Sequence, residues 1–97
     1  MEPNLSNIQH THATYHPQLL KIWEASVRAT HDFLNEQQIF QIKTLIMQHH
    51  YFDHVQLFHV ERNGCIAGFM GLAYQKIEML FVDPDFFDQG IGSILIQ

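Results

Sequence analysis

Apolar residues recur along this chain at two different spacings, and the change from one to the other divides it. Leu20, Trp23 and Val27 follow a step of three to four residues, the repeat of one face of an α-helix. His16-Pro17 opens that segment with proline at the first helical position, where an N–H would have no intrahelical partner anyway; the helix is expected to run to about Ala29. Thr30 to Leu34 breaks the pattern. Asn35 followed by Gln38 has the form of a capping box, with Asn in place of Ser or Thr, and Ile39, Ile42 and Ile46 give the buried face of a second helix to about Gln48. From Val55 the chain reads as strands. Val55 to Glu61 is one, and Arg62-Asn63-Gly64-Cys65 is a tight hairpin, because Asn-Gly supplies both positive-φ positions of a type I′ turn. Cys65 to Leu72 returns, with Gly68 and Gly71 marking a bulge or a close approach. Ala73 to Gln75 turns, and Lys76 to Val82 is a fourth strand. Upstream, residues 1 to 5 read as a frayed start and Asn7 to Thr14 as a short first strand. The order β-α-α-β-β-β-α predicts an α+β fold, a mainly antiparallel sheet with flanking helices.

The last seventeen residues carry the clearest chemical signal. An apolar strand ends at Phe81-Val82, Asp83-Pro84-Asp85 turns, and Phe87-Asp88-Gln89-Gly90-Ile91-Gly92-Ser93 leads into the apolar helix start Ile94-Leu95-Ile96. Glycines at alternate positions let backbone N–H groups approach a ligand closely, and a helix start adds free N–H donors with a partial positive charge. That is chemistry for holding phosphate. A P-loop would require Lys-Ser/Thr after its last glycine, where Ser93-Ile94 stands, and a dinucleotide fingerprint would want a small residue at Leu95.

This stretch resembles motif A of the GCN5-related N-acetyltransferase superfamily, in which a strand leads into a Gln/Arg-x-x-Gly-x-Gly/Ala loop that grips the pyrophosphate of acetyl-CoA. Gly90 and Gly92 match the two small positions, and the Leu80-Phe81-Val82-Asp83-Pro84 lead-in is similar to family members. Phe87 stands where Gln or Arg is usual, which removes a side-chain contact to the phosphates and leaves the backbone donors. The segment from Ile22 to Leu34 resembles one bacterial branch of the family. The resemblance covers nearly the whole chain but only the family's N-terminal half, so residues 1–97 are expected to form a single, incomplete domain, a truncated acyl-CoA N-acyltransferase fold. It implies an acetyl-CoA-dependent N-acetyltransferase acting on a small-molecule or peptide amine. The alternative is a non-catalytic CoA-binding or association module that keeps the fold.

Residue by residue, the resemblance places the main chain of Phe81 and Val82 along the pantetheine arm and Asp88, Gln89, Gly90, Ile91, Gly92 and Ser93 around the pyrophosphate. The acceptor is implied to lie in the trough between the first two helices. Glu78 is the only carboxylate inside the fourth strand and shares a face with Leu80 and Val82. A carboxylate among apolar neighbours suits a general base, and related enzymes often use a Glu on this strand; a surface or salt-bridged edge residue is the competing reading. His31, with Asp32 beside it, falls in the implied acceptor-binding loop and is a second catalytic candidate, against a plain solvated turn. The tyrosine that usually protonates the departing thiolate would lie in the family's second half, and Tyr74 is in the wrong part of the chain to replace it.

Composition narrows the partners. The chain has 97 residues, a formal charge of −5 and only five Lys and Arg, which argues against a nucleic-acid surface and is compatible with amine substrates. Eight histidines invite a metal reading at His10, His12 and His16 or at His49, His50 and His54, yet no further ligands fall at a recognisable spacing, so no metal is expected. Cys65 is the sole cysteine and excludes an intrachain disulfide. No apolar run spans a bilayer and no signal segment is visible, so cytoplasm is the expected location. The fourth strand and the final helix would leave an unpaired apolar edge, and self-association through Lys76 to Val82 or Gly92 to Gln97 is expected.

Overall fold

A computed structural model describes residues 8–30 and 34–96. Four strands form one sheet in the order β1-β2-β3-β4, every neighbouring pair antiparallel. They are β1 (Ile8–His10), β2 (Gln56–Arg62), β3 (Cys65–Ala73) and β4 (Lys76–Val82); the helices are α1 (His16–Thr30), α2 (Glu36–Gln48) and α3 (Ile91–Leu95). The element order and the antiparallel sheet are those the hydrophobic pattern predicts.

Local chemistry fixes the joints. The capping box at α2 is complete: Asn35 Oδ1 accepts from the Gln38 amide at 2.8 Å, and Gln38 Oε1 accepts from the Asn35 amide at 2.9 Å. Asn63 and Gly64 have φ of 54° and 79°, the type I′ signature of the first hairpin. The second hairpin adopts the same hand with Tyr74 and Gln75 at φ 54° and 65°, where neither residue has glycine's freedom. The first strand is the main departure. It ends at His10, because the His12 imidazole accepts from the Thr14 amide at 3.2 Å and starts a 3-10 turn over Ala13–Tyr15. A second 3-10 turn at Tyr51–His54, unforeseen in the sequence, follows His50 in the left-handed region.

The sheet has two unequal sides. On one, α1 and α2 cover it, and Leu19, Trp23, Val27, Ile39, Phe52, Leu57, Phe69 and Met79 form a continuous buried cluster. On the other, Ile91 and Leu95 of the five-residue α3 pack over Val60, Ala67 and Met70. Two bulges set which side chains meet which face. Val60 pairs with Gly68 but Glu61 with Ile66, so Ala67 is an extra residue on β3. Gly71 pairs with Met79 but Leu72 with Ile77, so Glu78 is an extra residue on β4. A bulge bends its strand and resets the alternation that a regular strand would show.

A buried polar group ties the segment just after β1 to β2. His59, 1% exposed, lies 2.7 Å through Nδ1 from Thr11 Oγ1 and 3.0 Å through Nε2 from Glu61 Oε2. A neutral ring with its proton on Nε2 satisfies both, donating to Glu61 and accepting from the Thr11 hydroxyl.

Candidate active site

The site is built where β4 ends. Asp83 anchors the exit: its amide donates to Ala67 O at 2.8 Å, and its carboxylate accepts from the Asp85 amide at 2.9 Å, starting a 3-10 turn at Pro84–Phe86. Pro84 at the first position of that turn suits its fixed φ. The backbone then passes through the left-handed region at Asp88, φ 66°, and at Gly90, φ 75°, where α3 begins. Ile94 is the first amide after this loop with a backbone acceptor, Gly90 O at 3.1 Å. Among the described residues, the amides from Asp88 to Ser93 have no such acceptor outside regular elements. A Cβ built on Gly90 or Gly92 would meet nothing within 4 Å. Unengaged donors therefore border open space, which is the geometry an anionic group needs.

Two buried side chains hold this loop against the sheet. Ile91 and Leu95 are each 1% exposed, so the Ile91 side chain belongs to the core and only its backbone is left for the loop. Gly68 makes the close approach feasible: a Cβ there would stand 2.9 Å from Ile91 Cγ2 and 3.0 Å from Phe81 O. The sequence marks Gly68 for a bulge or a close approach, and the partner of that approach is the helix start. Phe81 and Val82 are half-buried. The Phe81 ring packs against Phe69 with centroids 5.7 Å apart, and Val82 packs on the α3 side. Their side chains are core, and their main chain lies on the edge strand of the sheet.

Asp88, Gln89 and Ser93 are exposed. The loop's charge opposes phosphate. Asp83, Asp85 and Asp88 lie in it, and no Lys or Arg falls between Val82 and Gln97. Phe87, 37% exposed, occupies the Gln or Arg position.

Glu78 sits on the β4 bulge, four residues before Val82, a distance of about 13 Å at the usual strand rise. It is exposed, and the bulge rather than strict alternation sets its direction. The desolvation that Ile77 and Met79 suggest is thus not supplied by the described residues, since Met79 is turned into the α1 side and Ile77 is itself 49% exposed. His31 and Asp32 lie outside the described residues. The helices on either side of them are braced by a charge network that sequence reasoning passed over. Arg28 donates to Glu24 Oε2 at 3.0 Å and makes a two-pronged contact with Glu36, and Lys43 reaches Glu24 Oε1 at 2.8 Å. Hydrogen bonds from Lys43 and then Arg28 hold the Glu24 carboxyl below the usual range, and Arg28 does the same for Glu36. The Glu24–Arg28 spacing of four residues was the available signal; Glu36 and Lys43 come from another helix and left none.

No group of three or more His, Cys, Asp or Glu placed to hold a metal occurs among the described residues. Cys65 is free and exposed.

The model of the Acetyltransferase (GNAT) family matches residues 16–97. The chain belongs to that family. The peptidyl-lysine N-acetyltransferase YjaB of Salmonella typhimurium (strain LT2) is 33% identical over 92 residues, 94% of this chain and 62% of its own. YjaB of Escherichia coli (strain K12) is 33% identical over 81 residues, 82% of this chain and 54% of its own. The solution structure of apo-form YjaB from Escherichia coli superposes with a TM-score of 0.78 at 31% identity, covering 92% of this chain and 60% of that one. A GNAT family acetyltransferase from Brucella melitensis, solved in complex with acetyl-CoA, shares the fold with a TM-score of 0.65 at 16% identity, over 92% of this chain and 62% of that one. This GNAT chain spans about three-fifths of the length of the YjaB proteins it matches.

Proposed function

We propose that this GNAT chain binds acetyl-CoA along β4 and the Asp88–Ser93 loop and takes part in acetyl transfer to an amine, with a lysine side chain of a peptide as the acceptor class. The observation that carries this is the run of amides without backbone acceptors next to open space at Gly90 and Gly92, in a chain whose relatives are named peptidyl-lysine N-acetyltransferases. The loop fits a pyrophosphate through backbone donors alone. Because Asp88 and Phe87 stand where a cation or amide would help, affinity is expected to be modest.

The β4 main chain and the loop amides would hold acetyl-CoA, which would supply the acetyl thioester, and Glu78 lies on the same edge strand about 13 Å from Val82. There the amine nitrogen attacks the thioester carbonyl, its proton passes to the Glu78 carboxylate directly or through water, and the C–S bond breaks to release the thiolate of CoA. An exposed Glu78 is open to solvent and can take that proton through water. His31 is a second candidate base. No helix among the described residues is long and apolar enough to cross a membrane, and cytoplasm is the proposed location. The exposed apolar side chains of Ile77 and Leu80 on β4, whose outer edge has no paired strand among the described residues, support self-association there. That contact uses the edge the cofactor needs, so CoA should disfavour it.

The test is acetyl transfer from acetyl-CoA to a lysine peptide. Glu78→Gln should lower the rate ~100-fold, the usual contribution of a general base, and leave CoA affinity nearly unchanged. Equal rates would move the base to His31. CoA binding without any transfer would favour a binding module instead.

A further inference from the structure

A cavity of about 270 Å³ lies between the start of α1, the end of α2 and the 3-10 turn Tyr51–His54. Its wall is apolar. Leu20, Ile46 and Phe52 line it, and Phe52, buried and edge-on to Phe69 at 5.9 Å, joins that wall to the core. The mouth is polar. His16 Nδ1 lies 3.8 Å from Asp53 Oδ1, and His50 Nδ1 lies 3.8 Å from Asp53 Oδ2. His50 reaches this position with its backbone in the left-handed region, φ 50° and ψ 46°, which a residue other than glycine adopts at a cost. None of the lining residues belongs to the sheet or to the Asp88–Ser93 loop. The connection between α1 and α2, where the family resemblance puts the acceptor, is at the opposite end of both helices, about 21 Å along α1 from His16. The cavity is a separate place, and nothing about it depends on the cofactor reading.

A gap of 3.8 Å is too long for a hydrogen bond between ring and carboxylate. It is short enough for one donor nitrogen to stand about 2.9 Å from both atoms. A neutral ring with its proton on Nε2 offers Nδ1 as an acceptor, so each carboxylate oxygen has a second acceptor beside it. A primary ammonium carries three donors and no acceptor. It can give one N–H to Asp53 and one to an adjoining imidazole while its carbon chain enters the apolar cavity. We propose that this cavity binds a small primary amine with an aromatic or branched aliphatic body. The ammonium donates to Asp53 and to a neighbouring imidazole of His16 or His50, and the body lies against Leu20, Ile46 and Phe52.

Charge and size select this class of ligand. A carboxylate between two neutral rings leaves the mouth negative, and the chain's formal charge of −5 draws cations toward it. No Lys or Arg is among the lining residues, so the chain does not answer that charge itself. α2 also ends at the cavity with no basic residue in its last turn, and a helix C-terminus favours a cation. The start of α1 favours an anion in turn, and Asp53 is that anion. An apolar cavity of about 150 Å³ holds benzene, so this larger one has room for a ring with a short chain.

Nuclear magnetic resonance titration of the intact chain with phenethylamine, at about pH 8 where free imidazole is neutral, tests the proposal. Amide signals of His16, Leu20, Met47 and Asp53 should move, with a dissociation constant of about 0.1–1 mM for a ligand of this size. Phenethyl alcohol, which has the same body without the charge, should bind ~10-fold more weakly. Asp53→Asn should weaken the amine ~10-fold or more and leave the alcohol unchanged. His50→Gly should weaken the amine several-fold without lowering the melting temperature, because glycine takes the left-handed backbone freely. Both side chains are exposed, so circular dichroism should show the fold retained. No shift with phenethylamine up to about 10 mM overturns the proposal. So does an Asp53→Asn variant that binds the amine as wild type does, or an alcohol that binds as tightly, since either leaves the ammonium without a role. Shifts confined to β4 would place the amine at the acceptor site of the proposed reaction and overturn it as well.

Discussion

The two sides of the sheet carry different burdens. On the α1/α2 side, two helices of 15 and 13 residues close over a buried aromatic and aliphatic cluster. On the other, a helix of five residues covers part of the surface, and Ile77, Leu80, Phe87 and Ile96 are left exposed. Cooperative stability follows buried apolar area, so the first side holds the fold. The second side is thinly covered, and it carries the backbone donors of the loop. The loop's position leans on a few anchors, chiefly Ile91, Leu95 and the missing side chain of Gly68.

Mutations on the two sides should therefore fail differently. Phe69→Ala removes a fully buried ring from the thick side, and a loss of ~3–5 kcal/mol is expected; chemical denaturation should show the whole chain melting as one unit at lower denaturant. Leu95→Ala removes a buried side chain from the thin side. The expected loss is ~2–3 kcal/mol, and hydrogen exchange should locate it in α3 and the loop rather than in β2 and β3. If both variants destabilise every element equally, the division between the sides is wrong.

Gly68→Ala sharpens the comparison, because it pushes on Ile91 from the sheet without touching the thick core. Overpacking of this kind typically costs ~1–3 kcal/mol. CoA affinity should fall with it, as the loop start is displaced from Phe81 and Val82. An unchanged affinity would mean that the loop does not depend on this contact.

Much of this was legible in the sequence. Period-3.6 runs in α1 and α2, the Asn35–Gln38 box and the Asn63-Gly64 turn are local signals, and local geometry obeys them. The Asp83–Gly92 loop was legible as well, through glycine spacing after a strand. What escaped depends on residues far apart in sequence or on strand register. The Glu78 bulge arises from pairing with Gly71 and Leu72, and alternation along β4 alone points its side chain elsewhere. The buried Thr11–His59–Glu61 group joins residues 48 positions apart, so His59 read as an ordinary strand residue. The first strand stops early because His12 caps a turn, a competition between side chain and ladder.

Smaller effects probe the joints. Replacing Gln75 by Gly relieves a left-handed residue in the β3–β4 hairpin, and a gain of about 1 kcal/mol is expected in thermal or chemical melts. No gain would show that the turn is not strained. The Glu24–Arg28–Glu36 network should add pH dependence. Both carboxyls lie below their ordinary value of 4.5 when folded, so the stability they add is present above that value and is lost as pH falls through their folded values. Arg28→Gln should lose less stability than wild type between neutral and acid pH, read from melts across that window; identical acid profiles would remove the network from the account. These groups are exposed, so the effect should be the smallest of the series.

The central claim is that backbone donors of the Asp88–Ser93 loop hold the phosphates of CoA. Titration calorimetry with CoA up to about 1 mM, the weak end of ligand affinity, tests it on wild type, Asp88→Asn and Gly90→Asn. Asn tolerates the left-handed backbone at position 90, so Gly90→Asn keeps the loop's path and places a side chain in the open space. Wild type should bind. Asp88→Asn should bind several-fold more tightly, as removing a like charge a few ångströms from the phosphates is worth about 1 kcal/mol in water, and Gly90→Asn should lose binding while its melting temperature stays near that of wild type. No heat with wild type, or full binding by Gly90→Asn, would contradict the account.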